Sequence, residues 1–345
     1  MCYHISNLDT GEMIMRKTYF LMLAVSLVFG ACNNKPRKGV ENSAKYEWAK
    51  DWPQLPVGYS LSQVTGIGVD TMENVFAFHR TGRHWTNPFP DSLISLNTIS
   101  IFDGKTGKMI GSWGANYFIM PHGLTVDRNN NVWVTDVALQ QIFKFSYEGQ
   151  LLMKIGEAKV AGNDSLHFNR PTDVAVAADG SFYVSDGYLN SRVAKFSSKG
   201  KYLFEWGKKG NGPGEFNIPH GISLDAQGNV YVADRENNRV QIFDPNGKFI
   251  RQWQNKVSQQ LYSLTINRAN QNLFAVDYYV VSDTVIKGSD IFQFDPEGNL
   301  LSQFGRSGSY SGPVSRYHDV AVDKEGNIYL GDILNNTIQK FKVSH

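Results

Sequence analysis

Apolar and polar positions alternate with a period of two in short runs along most of the chain, among them GLTVD, VWVTD, DVAVA, FYVS, GISLD, VYVA and IYLG. Polar turns such as Asn129-Asn130-Asn131, Asp179-Gly180, Gln227-Gly228-Asn229 and Glu325-Gly326-Asn327 separate them. Short alternating runs bounded by Gly, Asn and Asp predict strands joined by hairpins. The clearest copy lies at residues 118–145, and the same order of events recurs. Thr65, His122, Thr172, His220, Tyr262 and His318 each lead into the first strand of a unit, with successive anchors 42 to 57 residues apart. Fourteen positions further on, His79, Asp136, Asp186, Asp234 and Asp332 each close a second strand; after Tyr262 the interval is fifteen, reaching Asp277. Four short strands in roughly 40–50 residues make a propeller blade, which buries its faces only against neighbouring blades. Six units predict an all-β, six-bladed β-propeller over residues 46–345.

The sixth unit ends after three strands, so ring closure needs a fourth from elsewhere. Residues 46–52 are the expected donor. Two excursions break the rhythm, at residues 81–98 in blade 1 and 278–290 in blade 5. Loops on one face of a repeat array often carry its binding surface.

The 13% aromatic content suits sheet-on-sheet packing. A net charge of +2, without a basic stripe, excludes nucleic acid as an expected partner. Residues 1–14 carry no pattern, and translation is expected to start at Met15. Met15-Arg16-Lys17 opens a basic segment, followed by an apolar run and Gly30-Ala31-Cys32. Residues 15–31 therefore read as a bacterial lipoprotein signal, too short for an ordinary spanning helix. A plain secretory signal with an incidental Cys is the alternative. Acylated Cys32 would anchor the mature chain in the cell envelope, with residues 32–45 as a polar tether. The other cysteine, Cys2, precedes the expected start, so the propeller is expected to be held without a disulfide, as a monomer.

Histidine fills the anchor position in blades 2, 4 and 6, as His122, His220 and His318. First strands line a propeller's channel, so the three imidazoles should converge on its axis. Three neutral imidazoles with an open fourth position are the ligand set of a catalytic zinc. A single such His would more simply pack on its own blade; the alternation favours a shared metal. The recurring Asp after the second strand has a structural reading, a short carboxylate tying down the next loop. What varies beside it is Arg80 in blade 1, Arg235 in the opposite blade 4, and Tyr188 in blade 3. Two guanidiniums near a metal suit a carboxylate substrate, because Arg offers a planar bidentate fork. Either Arg alone would read as a surface ion-pair partner.

FIMPHGLTVDRNNNVWVTDVALQQIFKF, HFNRPTDVAVAADGSFYVSDGYLNSRVAKFS, FNIPHGISL and YVADRENNRVQIF resemble the peptidyl-α-hydroxyglycine α-amidating lyases, six-bladed propellers of NHL repeats. The likeness runs from about Gln63 to Phe341. It implies a zinc-dependent enzyme that cleaves the N–Cα bond of a C-terminal α-hydroxyglycine, releasing a peptide amide and glyoxylate. It assigns zinc to His122, His220 and His318, the essential tyrosine to Tyr188, and the substrate carboxylate to Arg80 and Arg235. It also implies a structural calcium on the main-chain carbonyls of Ile67 and Leu124 and the carboxylate of Asp319. Three departures stand out. The family's animal members have a disulfide where this chain has Asn169 and Leu189, and Arg316-Tyr317 replaces Met-Pro before His318. These 345 residues show no copper hydroxylase pattern beside the propeller, so the hydroxyglycine is expected to come from another protein, or the substrate to be another α-hydroxy amide. The competing readings are a non-enzymatic propeller that binds a ligand or protein, and a hydrolase or lactonase using carboxylates on one metal.

Overall fold

A computed structural model describes residues 45–254, 260–282, 285–306 and 312–344. The expected upstream segment 1–14, signal 15–31, Cys32 and nearly all of the tether lie outside the described residues. The strands form six antiparallel sheets. The innermost strands are Val64–Val69, Pro121–Val126, Pro171–Val176, Pro219–Leu224, Gln260–Ile266 and Tyr317–Val322. Each packs on the next, and the sixth packs on the first. This is a closed six-bladed β-propeller.

Closure is made by Lys45–Trp48, which pairs with the last strand, Thr337–Ser344, in the register Tyr46 to Val343 and Trp48 to Phe341. The donor strand is thus shorter than residues 46–52. Trp52 leaves it to pack against Phe102 and Tyr329, where its indole N–H donates to the Gly104 carbonyl at 3.1 Å. Blade 5 gains a fifth strand, Val285–Gly288, from its excursion.

The second strands are buried at nearly every position, hence on both faces of the blade, so the core is divided into six clusters, one per blade interface. Between blades 1 and 2 lie Phe76, Phe78, Leu124 and Phe143; between 5 and 6 lie Tyr262, Phe274, Tyr317 and Leu330; the closing interface of 6 with 1 holds Trp52, Val64, Ala321 and Tyr329.

Every innermost strand carries a β-bulge at its anchor residue. Pairing with the second strand skips Thr65, His122 with Gly123, Thr172, His220, Tyr262 and His318. A bulge leaves a residue out of the ladder and re-aims its side chain. That local defect turns the anchor column towards the channel.

Candidate active site

The three anchor histidines are buried, and their ligand atoms lie within 4.8 Å of one another. Each Nδ1 lies 2.7 Å from a main-chain carbonyl: His122 at Thr172, His220 at Tyr262 and His318 at Thr65. A carbonyl only accepts, so each Nδ1 carries the proton and each Nε2 presents a lone pair. Fixing a ligand's tautomer through its other ring nitrogen is the usual support of a metal-binding His. In each case the carbonyl belongs to the next blade's anchor residue, so ring closure itself orients the imidazoles. Gly123 lets blades 2 and 3 approach: a Cβ there would stand 2.5 Å from the same Thr172 oxygen.

Burial, reinforced by the Arg80 charge, lowers the His122 pKa to about 3. Burial and the neighbouring imidazoles put His220 and His318 well below the usual imidazole range. All three are neutral at physiological pH. Three converging neutral nitrogens, each with its second nitrogen already satisfied, fit a metal ion, and the chain holds a buried three-histidine metal site.

Tyr188 reaches the same point. Its hydroxyl is 3.0 Å from His122 Nε2 and 3.2 Å from His220 Nε2. Gly187 makes this turn possible, since a Cβ at that position would collide with the Pro219 carbonyl. Burial raises the Tyr188 pKa, opposed by the charges of Arg235, Arg80 and Arg316. Arg80 is buried; its Nε donates to the Pro121 carbonyl at 3.1 Å and Nη1 to Gln63 Oε1 at 2.8 Å. Burial lowers its pKa to about 10, leaving it charged. The Arg235 guanidinium lies 5.4 Å from the Tyr188 ring and 5.0 Å from the Tyr262 ring, with Glu236 2.9 Å away. The structure therefore gathers His122, His220, His318, Tyr188, Arg80 and Arg235 at one end of the channel.

Two further residues belong to this end. Trp85, from the blade 1 excursion, packs on Tyr188 with ring centroids 5.0 Å apart and lies 5.5 Å from the Arg80 guanidinium. Tyr262, the blade 5 anchor, lies 5.1 Å from the His220 ring and 5.6 Å from that of His318. Nothing in the spacing marks Trp85, whereas Tyr262 stood in the anchor column without a role. Asn169 and Leu189 are joined by a main-chain hydrogen bond of 3.2 Å, which ties the loop beside Tyr188 without a disulfide.

The recurring Asp is structural. Asp136 accepts the amide protons of Ile119, Met120, Ala138 and Leu139, which locks the approach to His122 against the loop that leaves the second strand. Arg192 and Arg239 pair with Asp186 and Asp234 in the same way.

Ile67, Leu124 and Asp319 line a cavity of about 450 Å³ that occupies the channel away from the histidines. Asp319 accepts from the Ile67 amide at 2.8 Å and the Ser263 hydroxyl at 2.6 Å. Burial lifts its pKa to about 7, and burial with the Asp319 charge also raises that of Asp173, on the opposite blade.

Residues 118–145, 168–196 and 216–243 match the NHL repeat family. The probable peptidyl-alpha-hydroxyglycine alpha-amidating lyase pgal-1 of Caenorhabditis elegans is 39% identical over 238 residues, covering 65% of this chain and 68% of that protein. The chain belongs to the peptidyl-α-hydroxyglycine α-amidating lyase family. Peptidyl-glycine alpha-amidating monooxygenase B of Xenopus laevis is 36% identical over 316 residues, 85% of this chain and 35% of that protein. The chain thus spans about a third of the length of the first curated relatives it matches. A gluconolactonase structure from Xanthomonas campestris shares the fold, with a TM-score of 0.57 at 12% identity, over 88% of this chain and 99% of that one.

Proposed function

We propose that this protein is a zinc-dependent lyase that cleaves the N–Cα bond of an acyl- or peptidyl-α-hydroxyglycine to give an amide and glyoxylate. The observation that carries this reading is the convergence of three imidazole lone pairs, with the Tyr188 hydroxyl on those of His122 and His220, between guanidiniums from opposite blades. The similarity to the pgal-1 lyase supports the same substrate class.

Arg80 and Arg235 hold the substrate carboxylate and orient the Cα–N bond, converting binding energy into alignment. His122, His220 and His318 would hold the metal, which supplies Lewis-acid stabilisation of negative charge on the substrate oxygen. Tyr188 takes the hydroxyl proton as its phenolate, a state that burial opposes and the charges of Arg235, Arg80 and Arg316 support. The O–H electron pair becomes the aldehyde C=O of glyoxylate, the C–N bond breaks, and the departing nitrogen recovers the proton from Tyr188. Trp85 covers Tyr188 and keeps water from the phenolate. Asp319, with the Ile67 and Leu124 carbonyls, would hold a calcium that ties blades 6, 1 and 2 together. The layout before Cys32 supports a lipid-anchored place in the bacterial cell envelope.

Tyr188→Phe tests the role of the base. The variant is expected to bind zinc as the native chain does while losing roughly 10²–10⁴ in kcat. A native rate with bound zinc would remove Tyr188 from the reaction.

A further inference from the structure

Two residues before the anchor, blades 2 and 4 carry apolar Met120 and Ile218, whereas blade 6 carries Arg316. The Asp332 carboxylate fixes its main chain, accepting the Arg316 amide at 3.1 Å. The guanidinium then lies over Tyr278 at 4.6 Å and Tyr262 at 5.4 Å, with Nη2 donating to the Tyr262 hydroxyl at 2.6 Å. Its Nε is buried without a hydrogen-bond partner. Aromatic faces attract a guanidinium but leave its edge N–H groups free to donate.

The charge balance of this end is lopsided. Arg80 and Arg316 have no carboxylate in ion-pair range among the described residues, and Arg235 pairs with Glu236. A substrate with only the glycine carboxylate brings a single anion to these guanidiniums. The Arg80 and Arg235 pair accounts for that carboxylate and leaves Arg316 over. Charge-assisted hydrogen bonds to a buried donor are the strong ones, and leaving such a donor unpaired is costly.

We infer that Arg316 is a specificity-determining residue, selecting acyl-α-hydroxyglycines whose acyl part carries a second carboxylate. This deepens the lyase reading and rests on it for the hydroxyglycine core. The second anion sits beside Tyr262, where Arg316 donates to it through the Nη that does not bond the Tyr262 hydroxyl. Apolar residues at the same position in the other histidine blades give no such contact.

Calorimetric binding of non-reacting glycine analogues to the zinc-supplemented protein tests this, with turnover of the matching α-hydroxyglycines as a second readout. N-succinylglycine and acetyl-Glu-Gly are dianions; N-butyrylglycine and acetyl-Gln-Gly are their singly charged counterparts. The native protein should bind a dianion roughly tenfold or more tighter than its counterpart. Arg316→Met should abolish that preference while keeping the affinity for the singly charged ligand, which also reports an intact site, and Arg316→Lys should retain part of it. The better of the two dianions tells a small diacid amide from an acidic peptide. Equal binding of dianion and monoanion by the native protein, or an equal loss for both in Arg316→Met, would overturn the inference. Preference in binding without glyoxylate release would instead sink the lyase reading and leave the role of Arg316 standing.

Discussion

His79 stands where every other blade carries an Asp, and it shows how one buried side chain sets a pH response. Its Nε2 lies 2.8 Å from the Ser100 hydroxyl, which is itself 2.8 Å from that of Tyr59. Burial lowers its pKa to about 4. The unfolded chain takes up a proton near pH 6.5, and the folded chain does so only near pH 4. As pH falls through that window the unfolded state binds more protons, so stability falls with it. The contribution lost by pH 4.5 is about 2–3 kcal/mol. His79→Gln should therefore lose less stability than the native chain between pH 7 and pH 4.5 in denaturant titrations. An identical loss in both would contradict a neutral, buried His79. At this scale the sequence was partly legible. The alternation of His122, His220 and His318 marked the metal site before any geometry, because a repeat converts spacing into position on a ring. The partners that fix their tautomers are main-chain carbonyls, which no side-chain pattern encodes. Trp85 is reached only through the path of an irregular loop.

Among the elements, the closing strand has the clearest energetic role. Without Lys45–Trp48 the last strand would present an unpaired edge, an open template for association. Tyr46 would also leave its stacked contact with Phe304, 4.9 Å between centroids, and its edge contact with Phe274. Losing this strand with its buried aromatic packing should lower the melting midpoint by roughly 10 °C. Deleting Lys45–Trp48 and recording thermal unfolding checks this; an unchanged midpoint would mean that the ring closes without it. The need for the strand was visible in the shortfall of blade 6, though its extent was not. Trp52 looked like part of the same run and instead seals the interface of blades 6 and 1. The bulges at the anchors were equally hidden. A constant interval of fourteen positions fixes which residues recur but not which one is left out of the ladder.

At the scale of the propeller, the described residues contain no cysteine, so six inter-blade cores and the closing strand hold the ring. That architecture places the first strand of every blade on the channel and lets three distant histidines share one point. Trp85, from the excursion at residues 81–98, and Tyr278, in blade 5's long second strand Leu273–Ser282, reach the face where the histidines lie. On the function proposed above, this face performs zinc-dependent cleavage of an α-hydroxyglycine. Its most direct test is glyoxylate release from an N-acyl-α-hydroxyglycine by the purified protein, measured as prepared, after chelation of its metal, and after zinc is restored. Release that disappears on chelation and returns with zinc is the predicted result. Zinc binding at the three histidines without glyoxylate from any acyl-α-hydroxyglycine would contradict it.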